Sequence, residues 1–431
     1  MKSKDKISIH WFRRDLRIKD NHSLFKALYS NKKVLLIFIF DTDIINELSV
    51  NDARISFIYA QLEKINTQLL TYKCSVLCLK GRPIEVFKNL LTEYSIEEVN
   101  TNKDYEPYAK YRDKEIQDFL SNNGIRYNSF KDQVIFSEND ILKPDNSPYT
   151  VFTPYKNKWL KKFNGTETYL ITPALLNNLL KTNFKLPELS DLGFKKSKIV
   201  VKAYDISNLE NYKQNRDFPN LDSTSHLSVH LRFGTVSIRE IINKTRNYEA
   251  FLSELIWREF FMQILFHFPR VVTQNFKVKY NNIKWRNNKE EFEKWKSGQT
   301  GYPIVDAGMR ELNKTGYMHN RVRMIVASFL CKHLLIDWRW GEAYFAEKLL
   351  DYELASNNGN WQWAAGTGCD AAPYFRIFNP YEQTKKFDPK LEYINKWVWD
   401  LNSFNYPMPI IEHKFARKRA LQTYKIAIDN N

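Results

Sequence analysis

The sequence predicts an α/β region built on a parallel sheet, joined by a long connector to an all-helical region. Three observations carry this reading. From Ile7 to Phe130, short β-branched or aromatic runs ("ISIHWF", "KVLLIFIF", "CSVLCL", "EEVNTN", "IRYNSF") alternate with longer helical patterns, and alternation of that kind builds βαβ units and parallel strands. From Lys131 to Asp205 the chain carries prolines, lysines and weak periodicity, as a connector crossing a surface does. Beyond it strand signals fade, and "LSELIWREFFMQILFHF" and "VRMIVASFLCKHLLIDW" read as helices. The 431 residues therefore divide into 1–130, 131–205 and 206–431, a length that supports more than one core.

Each part has its own signature. In the first, Ile55, Ile58, Leu62, Ile65 and Leu69 keep helical spacing. Only Gly81 and Gly124 occur before residue 130, so the glycine fingerprint that lets a backbone approach a pyrophosphate is missing and a standard nicotinamide site is excluded. Nine of the eleven tryptophans lie between Trp257 and Trp399. Core packing accounts for most tryptophans in most proteins, and a platform for nucleobases or a planar cofactor is the sharper alternative.

Composition narrows the class. Hydrophobic residues make up 43% and no run of about eighteen apolar residues exists, so no membrane span is expected. "MKSKDKISIHWFRRDLR" lacks the apolar stretch of a secretory signal, which leaves a cytoplasmic location as the expectation. Cys74, Cys78, Cys331 and Cys369 are too scattered for a disulfide framework or a four-ligand zinc site. A formal net charge of +16 points to a polyanionic partner, nucleic acid first. A lysine-rich background composition is the rival explanation.

One stretch resists a bland reading. "NNGNWQWAAGTGCDAAPYFRIFNP", Asn357 to Pro380, sets Trp361 and Trp363 one residue apart, adds small residues and closes on Arg376 between aromatics. None of these is a usual acid or base. Together with "TGYPIVDAGMRELNKTGYMHNRVRMIVASFL", "LLIDWRWGEAYFAEKLLDYELASNNGNWQW", "HWFRRDLRIKDNHSL", "RDFPNLDSTSHLS" and "ELIWREFF", it closely resembles the DNA photolyase and cryptochrome family over essentially the whole chain. The resemblance implies a doubly wound, Rossmann-like antenna domain, a linker, and a helical domain holding FAD beneath a cavity for flipped-out bases. The cofactor and the lesion then supply the chemistry, and the protein supplies electron carriers, apolar walls and phosphate grips.

The resemblance assigns residues one by one. Tyr212 and the segment Thr224, Ser225, His226, Leu227 and Ser228 match the grip on the FAD phosphates; a helix N-cap at Thr224 or Ser225 is compatible with it. Asp351, Tyr352 and Glu353 match the flavin-ring segment, with Arg323 as ionic partner, although Asp is commoner than Glu at the second acidic position. Asn357 corresponds to the residue facing the flavin N5, where an amide favours a repair enzyme over a photoreceptor. Trp361, Trp338 and Trp285 fall on the three-tryptophan electron chain. Glu254, Trp257, Asn320, Met324 and Trp363 match the catalytic pocket of the cyclobutane pyrimidine dimer class I enzymes. Members that repair (6-4) photoproducts carry histidines where this chain has Asn320 and Met324.

Arg216, Arg321, Arg376 and Gln383 match positions near the DNA backbone, beside Glu254 and Asn320 at the lesion. UV-damaged DNA is thus the expected partner of a monomer. A cryptochrome-type photoreceptor and a DASH-like single-strand photolyase stand as alternatives. For the antenna pigment, Ala109 takes the place of an acidic folate ligand and no Cys-Lys pair lies around Val271 and Val272. Folate is disfavoured, leaving a deazaflavin, a second flavin or no pigment.

Overall fold

The computed structural model describes residues 5–30 and 32–429. Its strands are β1 (Ile7–Phe12), β2 (Lys33–Asp41), β3 (Leu77–Gly81), β4 (Ile96–Asn102) and β5 (Arg126–Phe130). They form one parallel sheet in the order β3-β2-β1-β4-β5, with Ile7 opposite Lys33 and Phe12 opposite Phe38 in the central pair. This is the doubly wound order, in which crossover helices cover both faces and strands read as continuous apolar runs. All six residues of β1 are buried.

The sheet's helices are α1 (His22–Tyr29), α2 (Ala53–Leu69), α3 (Pro83–Glu93) and α4 (Pro107–Asn122). Asn21 caps α1 by accepting from the Leu24 amide, and α3 and α4 each start with a proline at the first turn, where no amide is needed. Along α2, Ile55, Leu62, Ile65 and Leu69 are buried while Ile58 is half-buried. The third strand starts three residues later than the run "CSVLCL" suggests. The Ser75 amide donates to the Thr182 hydroxyl at 2.9 Å instead of entering the ladder.

The chain forms two compact units that interleave along the sequence. The α/β unit comprises Met1–Asp140, Lys162–Tyr204 and His226–Asn247, and the helical unit comprises Ile141–Lys161, Asp205–Ser225 and Tyr248–Asn431. The linear division at residues 130 and 205 does not coincide with this. Helix α5 (Ile238–Thr245) lies in the α/β unit, and charge explains why. Arg239 donates to Asp20 at 3.0 Å and to Asp132 at 2.8 Å, while Arg17 donates to both oxygens of Asp132 at 2.8 Å. All four side chains are buried. Burial pushes the Asp132 carboxyl up, but Arg17 and Arg239 outweigh it and hold the group below its usual range.

The helical unit is carried by α6 (Glu249–His267), α7 (Pro303–Thr315), α8 (Asn320–Ser328), α9 (Trp338–Lys348), α10 (Leu354–Ala365), α11 (Pro380–Phe387) and α12 (His413–Asp429). Its core gathers Trp295, Tyr302, Met309, Val322, Val326, Leu330, Trp338 and Trp361. Among the described residues no helix is long and apolar enough to cross a membrane.

Candidate active site

Three helices of the helical unit converge on a cavity with about 600 Å³ of empty space, part of it open to solvent. Helix α8 is started by His319, whose Nδ1 accepts from the Arg321 amide at 3.2 Å. It brings Asn320, Arg323, Met324 and Ala327 to the wall. Phe345 of α9 and Leu349 just beyond its end add apolar surface. Helix α10 ends at Gly366, φ +85, with Lys332 donating to its last carbonyl, that of Ala365, at 2.7 Å. It supplies Ser356, Asn357, Asn360, Trp361, Trp363 and Ala364.

Two glycines allow this convergence. A Cβ on Gly341 of α9 would come within 2.1 Å of the Trp361 ring, and one on Gly359 of α10 within 2.1 Å of Phe261. Gly359 of the Asn357–Pro380 stretch thus serves close helix approach.

The polar edge of the cavity is paired. Arg323 donates to both oxygens of Asp351, at 3.1 and 2.9 Å, which is the partnership expected from sequence. Glu353, longer than the commoner aspartate, accepts from Arg258 at 3.2 Å and from the Ser356 hydroxyl at 2.8 Å. The Asn357 amide donates to the backbone oxygen and the carboxylate of Glu342, both at 3.0 Å. Burial raises the Glu342 carboxyl above its ordinary range, opposed by that hydrogen bond. Arg258, Ser356 and Glu342 were not found from sequence; Arg258 and Glu342 lie far along the chain from their partners, and Ser356 is three residues from Glu353 at the start of α10.

Nine predicted residues therefore meet at one cavity: Asn320, Arg323, Met324, Asp351, Tyr352, Glu353, Asn357, Trp361 and Trp363. No residue on its wall is a histidine. His319, adjacent to it in sequence, is driven to about 4 by burial and is neutral near pH 7.

The remaining predicted residues lie elsewhere. Trp338 is fully buried, its indole donating to Asn275 at 2.8 Å, and Trp285 is half-buried, edge-on to Tyr424 at 6.0 Å. Trp257 stacks on Phe152 at 3.6 Å. Glu254 accepts from Arg216 at 2.6 Å, and that guanidinium lies 5.3 Å from the Tyr212 ring centre. Burial lifts the Tyr212 phenol to about 12. Thr224 shares a hydrogen bond with the Tyr317 hydroxyl at 3.0 Å, and the Ser225 carbonyl accepts from the Asp205 amide at 2.9 Å. His226 takes a left-handed backbone, φ 50, Leu227 is buried and Ser228 exposed. Arg321 pairs with Asp217 at 2.8 Å, Arg376 is exposed, and Gln383 is half-buried on α11.

Apolar lining (Trp361, Phe345, Leu349) together with hydrogen-bonding groups (Arg323, Asp351, Asn357) fits a heterocycle with polar ring atoms, as a flavin is. A doubly wound sheet and a helical unit with such a cavity, carried on one chain, fit a two-unit flavoprotein. Family models described as "DNA photolyase" and "FAD binding domain of DNA photolyase" match residues 8–174 and 251–405. A deoxyribodipyrimidine photo-lyase of Vibrio cholerae is 34% identical over 97% of this chain and 99% of its own. A bacterial class III photolyase from Agrobacterium tumefaciens superposes with a TM-score of 0.86 at 31% identity, covering 100% of this chain and 99% of the other. An archaeal photolyase from Sulfolobus tokodaii, solved with two FAD molecules, gives 0.85 at 33%, covering 97% and 99%. The chain belongs to the DNA photolyase family; it is an enzyme of that family with FAD as its cofactor.

Proposed function

We propose that the chain repairs cyclobutane pyrimidine dimers in UV-damaged DNA under light. The observation that carries this is the cavity wall itself: Asn320, Met324 and Trp363 stand together beside Asn357 and Trp361, with no histidine among them. When bound, reduced FAD would supply light-driven one-electron chemistry with no net redox change. Arg323, locked to Asp351, and Asn357, held by Glu342, orient that cofactor's polar edge. Met324 and Trp363 pack on the flipped dimer and exclude water, and Asn320 and Glu254 address base edges. No acid–base residue is needed, because splitting the cyclobutane ring moves electrons and leaves the bases without a net proton change. Trp361, Trp338 and Trp285 return electrons from the surface to the cofactor site. Their burial supports that role: two buried rings and one half-buried.

Arg216, Arg321 and Arg376 grip backbone phosphates, which fixes register and leaves discrimination to the cavity. Pre-reduced protein is tested on one oligonucleotide carrying a thymine cyclobutane dimer and another carrying a (6-4) product. Blue light restores the first and leaves the second. Repair confined to the (6-4) lesion overturns the reading, and flavin photoreduction without any repair replaces it with a photoreceptor.

A further inference from the structure

Two of the three arginines expected on the DNA face are already occupied. Arg216 holds Glu254, which has its own role at the base edge. Arg321 holds Asp217, for which repair supplies no role. Arg321 sits next to Asn320 of the cavity wall, at the start of α8, and its guanidinium lies 4.3 Å from the centre of the Phe387 ring. Phe387 is buried at the end of α11. Cation–ring attraction and a charge-assisted bond hold the group in one orientation.

The atom that Asp217 occupies matters. A guanidinium grips a phosphate with two parallel N–H groups, either Nε with Nη2 or Nη1 with Nη2. Asp217 accepts from Nη2, which both grips require. The Nε of Arg321 is buried and makes no hydrogen bond, so the carboxylate satisfies one prong of the fork and leaves its neighbour unsatisfied. The Asp217 side chain is 39% exposed against 19% for Arg321, so the carboxylate can swing into solvent when a stronger anion arrives. Resting on the assignment of Arg321 to a DNA phosphate, we propose that Asp217 is an affinity-limiting residue. It stands in for that phosphate in the free protein and must be displaced for Arg321 to grip DNA, so it restrains affinity and speeds release.

Asp217→Asn keeps the shape and removes the competing charge. With FAD content unchanged, it should tighten binding to a dimer-bearing duplex about three- to ten-fold and slow dissociation in proportion. In an Arg321→Ala background the same change should alter affinity by less than about two-fold, because there is no guanidinium left to release. Asp217→Ser serves if the asparagine variant loses flavin. Unchanged or weaker binding by the variant overturns the proposal. So does an equal gain in the Arg321→Ala background, which would mean that Asp217 acts only as a distant charge. The cycle is read on dimer-bearing and undamaged duplexes. Equal wild-type affinity for the two sinks the repair reading while retained coupling keeps the role of Asp217; preference for the dimer without coupling sinks Asp217 alone. Binding to neither duplex overturns both.

Discussion

Two sets of arginines, one in each unit, use charge in opposite ways. In the α/β unit Arg17, Arg239, Asp20 and Asp132 form a buried lattice in which each aspartate meets a guanidinium and each guanidinium meets further acceptors. In the helical unit Arg216 and Arg321 each pair with a single half-exposed carboxylate and Arg376 is exposed. A guanidinium whose donors are used inside the protein is structural; one with donors to spare is available to a ligand. Basic composition does not distinguish the two, and partner counting does.

The sharpest break of this comparison is Arg239→Ala, which leaves the buried Asp20 carboxylate without its guanidinium partner and weakens the screening of Asp132 within the lattice. A loss of about 3–5 kcal/mol is expected, read by thermal or denaturant unfolding. A variant that melts like wild type would dissolve the contrast.

Acid comes next. His10 of the α/β unit is fully buried and its imidazole is lowered to about 4, burial outweighing the pull of Asp15. The folded state therefore refuses a proton that the unfolded chain accepts below about 6.5. Stability from this group is full above pH 6.5 and declines as pH falls towards 4, by about 3 kcal/mol. His10→Asn should flatten that part of a stability-versus-pH curve, and an unchanged curve would assign the acid sensitivity elsewhere.

A smaller effect sharpens the helical side. Gly341→Ala drives a methyl into Trp361 and should cost about 1–3 kcal/mol while lowering flavin content; full occupancy at wild-type stability would show that the helices can part. Smallest in stability are the surface groups. Arg376→Ala should shift stability by less than about 0.5 kcal/mol yet lower the slope of log affinity against log salt by about one unit. An unchanged slope would take Arg376 off the DNA face. Trp285→Phe should slow photoreduction of oxidised flavin and spare repair by enzyme reduced beforehand, and equal loss in both assays would make it structural.

Legibility from sequence follows the same divide. The strands were visible because alternation and apolar runs are local, and only β3 shifted by more than one residue, where Thr182 drew Ser75 out of the ladder. The cavity was visible because its walls lie in long ordered motifs on α8 and α10. Hidden were the pairs that join separate periods: Glu342 with Asn357, Arg258 with Glu353, Asp217 with Arg321. Hidden too was the allegiance of α5, since a helix reads alike whichever core it covers, and here one arginine decides.

That allegiance sets a schedule for synthesis. Arg239 emerges from the ribosome 107 residues after Asp132, on the order of 5–20 s at ordinary elongation rates. During that interval the nascent sheet carries its aspartates with only Arg17 to answer them. The α/β unit is thus not complete until two segments of the helical unit have already been made, and a chaperone or the ribosome surface has that window in which to hold it.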